Sequence, residues 1–331
     1  MATLHKEYTD FNGKIRLTDS KKDDLIGSRK EIRRKIRKWF KDNKPDELQP
    51  KFYGQGSFEM NTTVNPVAEE NDEGKKLYKY DLDDGVYFIE KEDEDNKRSI
   101  DTWHDWVYKS VENHTDTPPI KKNTCVRVIF ADGHHIDLPI YYKEEDIPEL
   151  AHKSRGWFES DPKAFKDWFN DEVKDNQQKR KIVRYLKAWK NYRELNNTNL
   201  KLPSGFALSI LAVENYVSDD NDDTAFKKTV EKIKETLDEK FECIRPTAPV
   251  EDVFEEYSET RKDNFLITLK SLIDDCKKAN DEKNFKKASE IMQKQFGERF
   301  PLGRDEDEDE KSNRLGAALS GAAITPKPYA E

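Results

Sequence analysis

The amino-acid sequence predicts an α+β fold in two lobes, and three observations predict it. The segments Lys79 to Ile89, Thr124 to Ala131 and His134 to Tyr142 are rich in β-branched and aromatic residues, as pleated strands require. From Asp161 onward, apolar residues recur at the helical period instead. Ahead of both, residues 20–44 carry one apolar stripe, formed by Leu25, Ile32, Ile36, Trp39 and Phe40, on what reads as a long amphipathic helix.

Each element follows from its local pattern. The other face of the first helix holds Arg29, Lys30, Arg33, Arg34, Lys35, Arg37 and Lys38. That face reads as solvated surface, with a nucleic-acid surface as the alternative. Between the second and third strand runs, Asp132-Gly133 marks a tight hairpin. Ile100 to His114 reads as a helix and Glu90 to Arg98 as a charged loop. The chain crosses to the helical lobe between Tyr142 and Asp161. Helices are expected over Pro162 to Val173, Gln177 to Tyr192, Ser204 to Val217, Asp223 to Lys240, Val250 to Lys278 (with a break) and Asn284 to Phe296. Beyond residue 302 come the acidic run Asp305 to Glu310, the small-residue stretch Gly316 to Ala323 and two prolines. Such a composition buries too little apolar surface to order itself, so 303–331 reads as a flexible tail. The expected division is therefore 1–50, a helix bracing the lobes; 51–160, the strand-rich lobe; 161–302, the helical lobe; and 303–331, the tail.

Composition bounds the function. With 331 residues the chain is long enough for two cores, and 6 Trp, 17 Phe and 13 Tyr can fill them although only 34% of residues are apolar. No stretch approaches the roughly 18–20 apolar residues of a membrane span, and Met1 to Lys22 lacks the apolar core of a secretory leader. Cys125, Cys243 and Cys276 are far apart, which suits a reducing cytoplasm and excludes a disulfide framework or a local zinc knuckle. A net charge of −9 argues against a broad nucleic-acid surface but leaves room for basic clusters that hold small phosphates.

Three short segments carry the chemistry. In Tyr80-Asp81-Leu82-Asp83-Asp84-Gly85, Asp81 and Asp83 lie two apart and share a strand face. Two neighbouring carboxylates resist joint ionisation unless a cation sits between them, and a hard ion, Mg²⁺ or Mn²⁺, meets that need. An exposed strand end running into an Asp84-Gly85 turn is the plainer alternative. In His134-His135-Ile136-Asp137-Leu138-Pro139-Ile140, Asp137 is a lone acid on an otherwise apolar strand, the third carboxylate that two-metal phosphoryl transfer uses. The two histidines point to opposite strand faces, which argues against a transition-metal pair. Third, Gly54-Gln55-Gly56-Ser57 would let backbone N–H groups approach phosphate oxygens, with the Ser57 hydroxyl as a further donor.

In this order and spacing, Gly-Ser, then Asp-x-Asp, then a single Asp on a later strand resembles the polymerase-β-like nucleotidyltransferases. GQGS, DLDDGVYF and HIDLPIY are closer still to the bacterial relatives of cyclic GMP-AMP synthase, the cyclic-oligonucleotide synthases of anti-phage signalling. Residues 182–190 and 202–209 resemble that family's two nucleotide-facing helices, and the resemblance spans about 50–300. It implies a nucleotidyltransferase core with a mixed sheet, followed by the helical lobe. It further implies that Asp81, Asp83 and Asp137 bind two Mg²⁺ or Mn²⁺ ions and that Gln55, Gly56 and Ser57 hold the donor phosphates. Lys187 and Ser204 would contact the triphosphate from the helical side, and Arg127 the other nucleotide. Ser204, after Pro203 at a helix start, is equally a helix cap, and Arg127 is unusual in an apolar strand without a partner. One departure stands out. Where many relatives carry Asp-Pro near the acceptor base, this chain has Arg245-Pro246, which bears on base choice.

The implied activity joins nucleoside triphosphates, ATP with GTP or another nucleotide, into a cyclic di- or trinucleotide with release of pyrophosphate. Implied partners are a downstream effector that reads the product and an accessory regulator acting on the C-terminal tail. No membrane is involved, and stable DNA binding is not expected, because the zinc insertion of the animal DNA sensor is not visible. Two competing readings are a transferase that extends RNA or tRNA ends and a catalytically silent interaction protein of the same fold.

Overall fold

The computed structural model describes residues 3–307 apart from 68, 71–75, 78, 91–95 and 145, together with 309, 310 and 312. In chain order the elements are α1 (His5–Ile15), α2 (Asp19–Asn43), β1 (Lys51–Gln55), α3 (Gly56–Glu59), β2 (Glu69–Glu70), β3 (Lys76–Leu77), β4 (Asp81–Ile89) and α4 (Ile100–Val111). There follow β5 (Ile120–Lys121), β6 (Cys125–Ile129), β7 (His135–Lys143), β8 (Glu149–His152) and β9 (Gly156–Glu159). The helical lobe comprises α5 (Pro162–Val173), α6 (Gln177–Asn196), α7 (Gly205–Glu214), α8 (Asp222–Glu239), α9 (Glu259–Asp281) and α10 (Phe285–Phe296).

The sheet runs β1-β4-β7-β6-β5, and β8 and then β9 extend it from the C-terminal end of β7. β4 and β7 are parallel while their neighbours are antiparallel, so the sheet is mixed as expected. Strand alternation divides its residues cleanly. Leu82, Val86, Phe88, Val126, Val128, Ile136, Leu138 and Ile140 are buried in one core with Leu25, Ile32, Ile36 and Phe40 of α2 and Trp103, Val107 and Val111 of α4. Phe88 stacks on Trp103 with ring centroids 3.8 Å apart. The opposite face is left to Asp81, Asp83, Arg127 and Asp137. A second core gathers α1 and α5–α10, with Tyr8 and Phe11 set against Tyr185, Phe296 and Phe300.

Several sequence expectations change. The polar N-terminus contains α1, whose three buried apolar residues, Tyr8, Phe11 and Ile15, are too few to stand out in a charged segment. Asp84-Gly85 is no turn: β4 runs straight through it, pairing Gly54 with Asp84 and Tyr53 with Gly85. The expected crossover contains the β8–β9 hairpin, turned at Gly156 with φ 84°. No helix forms over 250–258. Asp252 Oδ1 instead accepts from the Cys243 and Phe254 amides, and α9 starts only after Ser258 caps it by accepting from Arg261 N. The first residues of the expected tail are docked, since Ser289 Oγ accepts from Gly303 N and Glu306 O from Phe285 N. The tail from 313, and residues 91–95 of the expected charged loop, lie outside the described residues.

Candidate functional site

Register places the three predicted acids together. In β4 and β7, Asp83 stands opposite Asp137 and Asp81 opposite His135. Burial, then the charges of Asp81 and Asp137, hold the Asp83 carboxyl well above the usual carboxylate range, against the pull of Arg127 and Lys187. Asp137 does not face open space. Arg127, its register partner on β6, donates Nε to Oδ1 at 2.7 Å and Nη2 to Oδ2 at 2.6 Å, so the guanidinium predicted to meet a second nucleotide here neutralises the third acid. The histidines diverge as expected. His134 is buried, its Nδ1 2.6 Å from Asp132 Oδ1 and its Nε2 3.1 Å from Ser28 Oγ, while His135 lies on the side of the acids.

The Gly-rich turn sits directly on the acids. Gln55 pairs with Asp83 across β1 and β4, and the chain then turns into α3 at Gly56 with φ 71°. A Cβ on Gly56 would overlap the Asp83 carboxylate, so glycine is required twice over, for its backbone angle and for the close approach. Ser57 Oγ lies 2.9 Å from Thr63 Oγ1. Gln55, which also lines the cavity described below, donates to Tyr141 Oη at 3.0 Å, and its Oε1 is buried without a hydrogen bond.

The helical lobe closes the other side. Lys187 on α6 is buried and donates to Thr62 Oγ1 at 2.9 Å. Burial pushes its ammonium down to about 8; Asp81 and Asp83 pull it back up and Arg184 lowers it further. Arg184, one turn away, donates to Asn12 Oδ1 and to Asn61 O, both at 2.8 Å, and so ties α1, α6 and the turn after α3 together. Ser204 caps α7 by accepting from Ala207 N at 3.1 Å; it is exposed, and the cavity wall is formed by its neighbours Gly205 and Phe206. Arg245 lies in the same wall with its guanidinium 5.1 Å from the Phe206 ring and its Nε buried without a hydrogen bond.

Between the lobes is a cavity of about 550 Å³, lined on the sheet side by Gln55, Gly56, Ser57, Asp81 and Asp83 and on the helical side by Lys187, Gly205, Phe206 and Arg245. That volume suits a nucleotide-sized ligand. Lys190, the last residue of the 182–190 block, also lines it, as do Thr62, Thr63 and Asn191, which carried no motif and are revealed only by their place in the fold. Among the described residues no group of three or more His, Cys, Asp or Glu is arranged to hold a metal ion, and Asp137 is turned to Arg127. The oxygen-only donor set and the strained ionisation of Asp83 nevertheless fit a hard divalent cation.

Comparison with known proteins agrees with this geometry. Residues 50–141 match the family described as cyclic GMP-AMP synthase DncV-like, nucleotidyltransferase domain. A cyclic GMP-AMP synthase of Escherichia albertii is 34% identical over 196 residues, covering 57% of this chain and 42% of the relative. One of Escherichia coli is 26% identical over 242 residues, covering 59% and 54%. The chain thus aligns with about half the length of these curated relatives. In structure it resembles Vibrio cholerae DncV cyclic AMP-GMP synthase in complex with nonhydrolyzable GTP, with a TM-score of 0.75 at 22% identity over 91% of this chain and 99% of that one. The same enzyme with the linear intermediate 5′ pppA(3′,5′)pG gives a TM-score of 0.73. Motif order, sheet register and these likenesses agree: residues 50–141 are similar to the nucleotidyltransferase domain of the DncV-like cyclic GMP-AMP synthases, and the chain has a DncV-like fold.

Proposed function

We propose that this chain joins nucleoside triphosphates, without a template, into a cyclic dinucleotide. The observation that carries the proposal is the direct register of Asp83 with Asp137 beneath the Gly56-Ser57 turn, at the mouth of a cavity with Lys187 in its far wall. The likeness to the Escherichia synthases supports the cyclic product. Asp81, Asp83 and Asp137 would hold two Mg²⁺ or Mn²⁺ ions. When bound, these supply charge neutralisation at the phosphates and activation of the attacking hydroxyl. The residues themselves do the positioning. The Gly56 turn brings backbone donors and the Ser57 hydroxyl to the donor phosphates, and Lys187 places a positive charge opposite the acids. Arg127, once released from Asp137, is free to take the phosphates of a second nucleotide. Phe206 and Arg245 offer a flat apolar and cationic wall for a base. We further infer that the product serves antiviral defence through an effector that recognises it, and that divalent ions are the resident cofactor.

The test is incubation with all four radiolabelled ribonucleoside triphosphates and Mg²⁺ or Mn²⁺, followed by phosphatase. A phosphatase-resistant product that vanishes in Asp81→Ala/Asp83→Ala is the expected result. A product formed only when RNA is added would replace this proposal with polymer-end transfer.

A further inference from the structure

One face of α2 is not the solvated surface its charge suggests. Arg29, Arg33 and Arg37 stand four residues apart, which places them in one row along the helix. Each engages a segment that builds the site. Arg33 donates Nε to Asp84 Oδ2 at 2.7 Å and Nη2 to Asp84 Oδ1, a two-pronged pair on a carboxylate that is 0% exposed. Asp84 follows Asp83 on β4 and points to the opposite face of the sheet. Arg29 donates to Glu59 Oε1 at 2.6 Å, at the end of α3, and its guanidinium lies 5.7 Å from the Phe58 ring. Arg37 lies 4.8 Å from the Phe52 ring on β1, where Arg33 also packs at 5.5 Å. Gly54 is so close to this contact that a Cβ there would overlap the Glu59 carboxylate.

From this arrangement we propose that Arg33, with Arg29 beside it, is a positioning residue for the metal-binding acids. The arginine row grips β4, α3 and β1 from behind and fixes where Asp83 and the Gly56 turn meet. The proposal rests on the metal reading of Asp81 and Asp83. Its physical basis is specific. A carboxylate with no exposure is expensive to bury unless its charge and both oxygens are satisfied, and only the planar fork of arginine satisfies both oxygens at once. A buried charge placed one residue from a metal ligand then transmits any slack directly to that ligand.

The test compares Arg33→Lys, which keeps the charge and loses the fork, with Arg33→Met/Asp84→Met, which replaces the pair by apolar side chains of similar volume. Arg34→Ala, on the exposed face, is the control. Binding of Mn²⁺ alone is followed by electron paramagnetic resonance, beside thermal melting and the kinetics of product formation. The expected result is folded variants whose Mn²⁺ affinity and kcat fall by about ten- to a hundred-fold while KM stays within about two-fold. Folded variants with unchanged Mn²⁺ affinity and kcat would overturn the proposal and leave the row a purely structural brace. Wild-type Mn²⁺ binding that survives Asp83→Asn would overturn the metal reading itself, and the positioning role with it.

Discussion

Burial acts in opposite directions on two groups that line the same cavity, pushing the Asp83 carboxyl up and the Lys187 ammonium down to about 8. For Lys187 the folded value lies below the unfolded one. Its charge is therefore lost as pH rises through about 8, while its contribution to stability grows from there toward 10.5. Triphosphate capture should follow the charge: kcat/KM, which reports the free enzyme, should fall above about pH 8 in the wild type, and Lys187→Met should start lower and lose that limb. The same slope in both would detach Lys187 from the phosphates. Arg127 makes a second case. As counter-ion to Asp137 it competes with any divalent cation, so Arg127→Gln should bind Mn²⁺ more tightly than the wild type, by about tenfold or more for a charge-assisted two-pronged pair, while losing product formation. Calorimetric titration with Mn²⁺ decides this. The acids themselves were legible in the sequence, because strand alternation dictates that Asp81 and Asp83 share a face. Arg127's attachment to Asp137 was not, because it depends on the register of β6 on β7, and the Asp132-Gly133 turn predicts that these strands pair without fixing which residues stand opposite.

Among the elements, the Gly56 turn and the start of α7 separate positional necessity from ordinary capping. Gly56→Ala should destabilise the protein by about 1 kcal/mol or more for the left-handed angle alone, with further loss from the overlap with Asp83, and should abolish activity even in the folded fraction. Ser204→Ala should instead cost about 1 kcal/mol through loss of the cap, with KM for triphosphate unchanged, because the hydroxyl accepts from Ala207 N and the cavity wall is made by the next two residues. Melting curves paired with KM distinguish the two. Helix ends in the second lobe followed the sequence closely where a cap or proline was present, as at Pro162 and Ser204. The stretch 250–258 departed because the Asp252 side chain competes for backbone amides that a helix would have used.

In the whole molecule, the two lobes are joined through the N-terminal segment as well as through the chain that links them. α1 sits in the helical core, and its end runs beside the strand-rich lobe, with Asn65 N donating to Ile15 O at 2.6 Å. Phe11 is fully buried between Tyr185, Phe296 and Phe300, so Phe11→Ala should lower stability by about 3–5 kcal/mol, measured by denaturant unfolding. A loss below about 1 kcal/mol would show that α1 only lies on the surface of the helical core. Taken alone, the sequence determined the α+β class, the long α2, the Asp132-Gly133 hairpin and the acids with their Gly-Ser turn, because these depend on residue period and local turn chemistry. Only the tertiary structure decided that Asp83 faces Asp137, that Arg127 holds the third acid, that Thr62 receives Lys187 and that the arginine row of α2 grips the back of β4. Those are contacts between residues from 10 to 125 positions apart in the chain, and their partners are chosen by sheet register and helix packing, which are properties of the assembled core.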